Sequence, residues 1–541
     1  MSFLFGGLQP IWSRVALDAV TISFLGLCIS TEAGDFNTIA LLIPVLMTWF
    51  TAGLTNRWTL SFPMVPLLML QQSRRLSFVR RSSWASILIA VLSTILLLIT
   101  TFLCVAFPPL QPPPVIGPYK VGIVDLHLPI AGHGSNSDNY NNNNNNNDRH
   151  VVARILYPTD NHHTGTMPYL KPNLASAFLK ESVLNMAPPP INSLYWILDY
   201  WKLITIDSIQ HAPPMMMARH ERQDRYKNTT TKTHKFPLIA FSHGLGGSAS
   251  VYSHVTRSMA ANGHVVIAVD HTDGSHPMVV TKNGTVIPYD SSPIAELYSR
   301  GKVLEYVKVR RQQTEWRAGE LIAAAETLRS LNERDIPELQ ELGISFIDCL
   351  DTDRLHVMGH SFGGSTALTV AFRRPDLVQS VVAHEPMADW TPNDVRWQLF
   401  PQAAIDSYDP PGHAVETGGR GEVQVPLPTT YDQMPSLFLF SGEFHAKNWG
   451  GTKFFQYMFQ NGLLGRHGKH AVLHDMHHNE FSDMCFLTPI WLTRALKMTG
   501  RGNPIDNAAE AIRRTLEFLG AQASMPMESK KRVDREEKAE L

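Results

Sequence analysis

The chain has 541 residues, with 47 Lys plus Arg against 48 Asp plus Glu and a formal net charge of −1. A nearly neutral chain has no global field to draw it to nucleic acid, and 44% hydrophobic with only 18% charged residues excludes disordered and collagen-like polymers and points to membrane segments beside an ordinary globular part. The four cysteines, Cys28, Cys104, Cys349 and Cys485, form no C-x-x-C pair, so neither a disulfide framework nor a cysteine-held zinc is expected.

In chain order, residues 1–111 are expected to form a multispan transmembrane region of three or four helices. Trp84 to Phe107 carries no charge and is long enough to cross a bilayer; Ala19 to Thr31, Thr38 to Leu54 and Trp58 to Leu70 are shorter apolar runs. Arg74, Arg75, Arg80 and Arg81 before the last span mark a cytoplasmic loop. Everything after it is then lumenal or extracellular, in an endomembrane or at the cell surface, and the sequons at Asn228 and Asn283 lie on that side. Pro108-Pro109 and Pro112-Pro113-Pro114 form a stiff spacer, so a catalytic domain is expected over 112–527. Gly122 to Leu128 and Val151 to Tyr157 alternate as paired antiparallel strands, with the low-complexity asparagine loop at 139–148 as their hairpin tip. Residues 528–541 read as a charged, solvated tail whose last four, Lys538 to Leu541, only distantly resemble an endoplasmic-reticulum retrieval signal.

Within the catalytic domain, Phe236 to Phe241 and Gly263 to Asp270 are apolar strands separated by a helix over Ser248 to Asn262, a β-α-β unit. Gln379 to His384, Ser436 to Phe440 and Ala471 to His474 are further strands, and the alternation predicts an α/β fold with a doubly wound, mostly parallel sheet. Leu355 to Met358 is a strand running into Gly359-His360-Ser361-Phe362-Gly363-Gly364 and then into helix-forming residues. Strand, tight turn and helix around G-x-S-x-G is the nucleophile elbow of α/β-hydrolases, where a strained backbone presents the Ser hydroxyl and only glycine fits two residues to either side. Ser361 is therefore the candidate nucleophile.

A second glycine-rich strand exit, Ser242-His243-Gly244-Leu245-Gly246-Gly247, sits where this fold draws one oxyanion N–H, the other coming from the residue after the nucleophile; the donors are then Leu245 and Phe362. The triad partners should follow in the order acid, His. Glu385 emerges directly after the strand Gln379 to His384; Asp389 and Glu443 remain alternatives. The base is expected at His477 or His478, after the last core strand.

These residues resemble the platelet-activating-factor acetylhydrolase family, the plasma and type II intracellular group of calcium-independent phospholipases A2. The likeness covers about Tyr119 to Leu487 and rests on Phe241 to Gly246, Gly359 to Gly364 and His478 to Asp483, with support from Val121 to Asp125, Leu156 to Pro158, Ala268 to His271 and Arg310 to Gln313. The resemblance implies Ser361 as nucleophile, His478 as base and Leu245 and Phe362 as oxyanion donors. It implies a 1-alkyl-2-acetylglycerophosphocholine esterase-like enzyme that cleaves short or oxidised sn-2 acyl esters of glycerophospholipids without metal or cofactor. The chain departs from the family in carrying Glu at 385, where Asp is usual, and in its multispan amino-terminal region. The phospholipid substrate and the membrane are the partners expected; the sequence leaves oligomeric state open. Leu194 to Trp201 and Met215 to Met217 are either a lipid-facing rim of the pocket or an ordinary core helix. Rival readings are a carboxylesterase for non-phospholipid esters and a non-catalytic hydrolase-like membrane protein.

Overall fold

A computed structural model describes residues 110–129, 150–160, 165–171, 174–186, 201–202, 204–215, 235–295, 303–399, 434–447, 451–464 and 468–523, with residues 84, 87, 88, 91 and 95. The expected transmembrane region, the asparagine loop, Asn228 and the charged tail fall outside these residues, apart from Trp84, Ile87, Leu88, Val91 and Ile95, which are helical and exposed. No helix among the described residues is long and apolar enough to cross a membrane.

The core is one nine-stranded sheet. Its strands are β1 (Lys120–Pro129), β2 (His150–Thr159), β3 (Ile209–Gln210), β4 (Phe236–Ser242), β5 (Val265–Asp270), β6 (Leu350–His360), β7 (Ser380–His384), β8 (Ser436–Ser441) and β9 (Gly468–Leu473), in the spatial order β9-β8-β7-β6-β4-β5-β2-β1-β3. The run from β9 to β5 is parallel throughout. β2 turns the direction, pairing antiparallel with both β5 and β1. The expected hairpin is present, in register from Lys120 opposite Thr159 to Pro129 opposite His150.

Helices cover both faces, which is why the central strands read as unbroken apolar runs rather than as alternation. They are α1 (Ser253–Ala261), α2 (Val303–Ser330), α3 (Phe362–Arg373) and α4 (Pro504–Ala523). Leu238, Ala240, Val357, Val381, Ala383, Phe438 and Phe440 join Leu321, Ala325 and Leu328 of α2 and Leu368 and Ala371 of α3 in one core. Their neighbours in sequence, Ile239, Phe241, Val266, Ala268, Met358, Val382 and Leu439, join Met259 and Ala260 of α1 and Ile512 and Leu519 of α4 in the other. Each fully buried Val, Leu, Ile, Phe or Met among them contributes about 1.5–3 kcal/mol relative to exposure, so the period-two division of the strands fixes both layers. The architecture is that of an α/β-hydrolase, with the parallel strands delivering their carboxyl ends, and the residues that follow them, to one edge.

Of the two readings of Leu194 to Trp201, the structure supports core packing for the residue it describes. Trp201 is buried, its ring edge-on to Tyr169 and its Nε1–H donated to the Leu487 carbonyl at 3.1 Å. Residues 194–200, 216 and 217 lie outside the described residues, and Met215 packs against the core.

Candidate active site

Ser361 stands between β6 and α3 with φ 56° and ψ −118°. That left-handed φ is costly for a residue with a Cβ, and its surroundings enforce it. A Cβ on Gly359 would lie 2.1 Å from the Gly363 carbonyl oxygen, and one on Gly363 would lie 2.0 Å from that of Ser242. The elbow is thus wedged against the carboxyl end of β4. The Ser361 N–H is donated to the His384 carbonyl at 2.8 Å, which ties the nucleophile to the end of β7 as well.

Glu385 follows β7 and is a second non-glycine residue with positive φ, 49°. Its backbone N–H is held by the Leu439 carbonyl at 2.9 Å, and its wholly buried carboxylate accepts from the Ser441 N–H through Oε1 and from His478 Nδ1 through Oε2. His478 Nε2 lies 3.1 Å from Ser361 Oγ, while its ring stacks on Phe444 at 5.0 Å and 12°. Burial works against the charged Glu385, but His478 and His360 beside it outweigh burial and hold the carboxyl well below the usual range.

The structure brings together Ser361, Glu385 and His478 from the sequence candidates. The other two carboxylates lie elsewhere in function. Glu443 Oε2 accepts from the backbone N–H of His478 at 3.1 Å and its Oε1 from Lys447 at 2.7 Å, so it props the histidine loop. Asp389 meets Arg396 at 3.7 Å through its carboxylate, and its carbonyl accepts from Arg311. His477 turns its Nδ1 to the Lys497 carbonyl at 3.2 Å.

Phe362 follows the nucleophile directly, and Leu245 follows Gly244 in the second glycine-rich loop. Phe362 is the first residue of α3, where N–H groups lack intrahelical acceptors, and the Leu245 N–H has no acceptor among the described residues. Gly244 brings the second loop close: a Cβ there would sit 3.4 Å from that of Ser361.

Sequence reading missed what supports this edge from below. Arg317, buried in α2, donates through Nη2 to the His243 carbonyl at 2.8 Å and lies 4.2 Å over the Phe362 ring, so one cation bridges the loop after β4 and the start of α3. Ser242, His271 and Glu320 form a second, fully buried hydrogen-bonded line, 2.8 Å from Ser242 Oγ to His271 Nε2 and 2.7 Å from His271 Nδ1 to Glu320. Burial pushes Glu320 up to about 7. The sequence signal was present in α2, where Arg310, Arg317 and Glu320 interrupt the apolar stripe on the side that proves to be buried.

Fold and edge geometry together define the arrangement of a serine hydrolase. A family model described as platelet-activating factor acetylhydrolase, isoform II, matches residues 215–388, a segment that includes Leu245, Ser361, Phe362 and Glu385 and stops short of His478. The chain is 32% identical over 139 residues to the platelet-activating factor acetylhydrolase of Canis lupus familiaris, covering 25% of this chain and 31% of that one. It is 32% identical over 151 residues to that of Gallus gallus, covering 25% and 35%, and 28% identical over 159 residues to a putative phospholipase A2 of Schizosaccharomyces pombe, again 25% and 35%. The chain thus spans about a third of the length of the curated relatives it matches. Among solved structures, a ferulic acid esterase from Streptomyces cinnamoneus aligns over 76% of this chain and 92% of its own at 16% identity and a TM-score of 0.47. The resemblance to the platelet-activating-factor acetylhydrolase family, read first from the motifs, is borne out over the matched segment.

Proposed function

We propose that this chain is a serine esterase that hydrolyses the short or oxidised sn-2 acyl ester of platelet-activating-factor-like glycerophospholipids, with Ser361, His478 and Glu385 as its triad. The observation that carries the reading is the continuous line from Ser361 Oγ to His478 Nε2, 3.1 Å, and from His478 Nδ1 to the buried Glu385 carboxylate. His478 takes the Ser361 proton as Oγ attacks the ester carbonyl; Glu385 holds the ring in the required tautomer and offsets the imidazolium charge. The oxyanion is received by the N–H groups of Leu245 and Phe362, each such donor being worth about 2.7–4 kcal/mol in the transition state. His478 then returns the proton to the departing lysophospholipid oxygen, and water, deprotonated by the same ring, releases the acid. The phospholipid part of the reading rests on the family likeness, and membrane attachment through residues 1–111 would hold the edge of the sheet near such lipids.

The test is hydrolysis of choline phospholipids bearing sn-2 acetyl or long sn-2 acyl chains by detergent-solubilised full-length protein and Ser361→Ala, with a calcium chelator present. Acetyl-selective turnover that persists under chelation and drops to background in the variant is expected. Cleavage of soluble aryl esters but of neither lipid would replace the substrate with a simpler ester. Loss of no activity in Ser361→Ala would overturn the mechanism.

A further inference from the structure

Beside the triad lies a buried histidine that the mechanism above leaves unused. His360 immediately precedes the nucleophile, is 3% exposed, and has its ring centroid 4.5 Å from that of His478. Its Nδ1 lies 2.7 Å from the Tyr252 hydroxyl. Its Nε2 has no hydrogen-bond partner within normal range and lies 3.9 Å from Glu385 Oε2.

The proton positions follow from counting donors. The Tyr252 oxygen accepts the Gly244 N–H at 3.2 Å, and a buried O–H needs an acceptor, which His360 Nδ1 at 2.7 Å supplies. A neutral imidazole whose Nδ1 accepts carries its proton on Nε2, and that N–H faces the Glu385 carboxylate and the backbone carbonyl of His478. The ring stays neutral: burial first, then the neighbouring His478, holds its pKa down at about 4, against the opposing pull of Glu385. Tyr252, Glu385, His384 and His478 are the titratable groups facing it, from the turn before α1, the end of β7 and the histidine loop.

Taking Ser361, Glu385 and His478 as the triad, we propose that His360 is a positioning residue, a neutral N–H donor that fixes the Glu385 carboxylate under His478 and, through Tyr252, ties that carboxylate to the oxyanion loop at Gly244. The line Gly244, Tyr252, His360, Glu385 joins the two halves of the site without touching substrate. It also explains why a second histidine in ring contact with the base does not compete for the Ser361 proton: its basic nitrogen is already occupied by Tyr252.

The test reads the triad without needing to know the substrate. A fluorophosphonate probe forms a bond between Ser361 Oγ and phosphorus, expels fluoride and passes the serine proton to His478, so its second-order rate reports the assembled triad. Wild type, Ser361→Ala, His360→Leu, His360→Gln and Tyr252→Phe are labelled as full-length solubilised protein from pH 5 to 9. Removing an N–H dipole that faces the buried Glu385 charge at 3.9 Å, too long for a full hydrogen bond, predicts a rate about 10-fold lower in H360L. Its acid limb should move to higher pH, because a carboxylate that has lost a donor holds the His478 proton more tightly. H360Q, whose amide N–H can reach Glu385, should recover most of both effects. Y252F, which lets the His360 proton move to Nδ1, should shift the limb the same way by a smaller amount. A change in packing alone would lower the rate without moving the limb. Wild-type rate or an unmoved limb in H360L, or H360Q no better than H360L, overturns the proposal. If H360L fails to fold, Y252F decides alone, and its equality with wild type overturns it. Wild type unlabelled at Ser361 overturns this inference together with the triad reading, whereas normal labelling in every His360 and Tyr252 variant overturns this inference only.

Discussion

Glu385 illustrates how a residue one methylene longer than Asp is accommodated. The positive φ of 49° turns its backbone back over the end of β7, and both carboxylate oxygens are then occupied, by the Ser441 N–H and by His478. Three carboxylates follow neighbouring strands in the sequence, and the position of Glu385 directly after its strand favours it without excluding the other two. What separates them is which oxygen faces Nδ1 of His478, a property of backbone torsion and sheet register. Glu385→Gln keeps the size but offers an amide that cannot orient and offset an imidazolium, so kcat should fall by about 10³- to 10⁴-fold with the fold intact. Glu443→Gln can still accept the His478 backbone N–H through its carbonyl and should stay within about tenfold of wild type. Equal losses in the two variants, measured by ester turnover and thermal unfolding side by side, would mean that the acid has been misassigned.

Elements meet at this edge because glycines and buried charges let them. Gly359 and Gly363 allow β6, α3 and the end of β4 to interpenetrate at distances no Cβ permits, and that requirement is visible in sequence because the motif itself is made of glycines. The contact between α1 and the histidine loop is different. Asp483, two residues past Phe481, accepts the His254 N–H at 3.0 and 3.2 Å, at the amino-terminal turn of α1. Burial, opposed by that N–H and by Arg257, pushes its carboxyl up to about 7. Between about pH 4, where the unfolded carboxyl titrates, and about pH 7, the folded chain therefore holds a proton that the unfolded chain has lost. The stabilisation is complete below that window and is lost as pH rises through it. Asp483→Asn keeps an acceptor and removes the ionisation, so its Tm relative to wild type should rise steadily from pH 4 to 8, by about 2 °C or more. A Tm difference constant across that range would show that Asp483 does not titrate in the window. No sequence pattern announces this carboxylate, since its pKa depends on a helix more than two hundred residues away.

For the whole molecule, the orientation read from Arg74, Arg75, Arg80 and Arg81 makes a prediction on a described surface. Asn283 is exposed in the turn between strands Met278–Val280 and Val286–Pro288, with its Oδ1 accepting from Thr281 Oγ1 at 2.6 Å and from the Thr285 N–H at 3.1 Å. In a lumenal domain this sequon is open to modification, so a glycosidase should increase the gel mobility of wild type but leave Asn283→Gln at a mobility set by Asn228 alone. Indifference of both proteins to the enzyme would argue for the opposite orientation. The sequence by itself pointed to most of the strands and to the elbow, because both rest on local rules: apolar runs for strands buried on both faces, glycines where backbones touch. Only the tertiary structure set the order of the strands, brought Glu385 and His478 into line with Ser361, and placed Tyr252, His360 and Arg317 beneath the site. Those placements depend on which side chains converge from strands far apart in sequence, and the low dielectric where they converge makes each hydrogen bond there consequential.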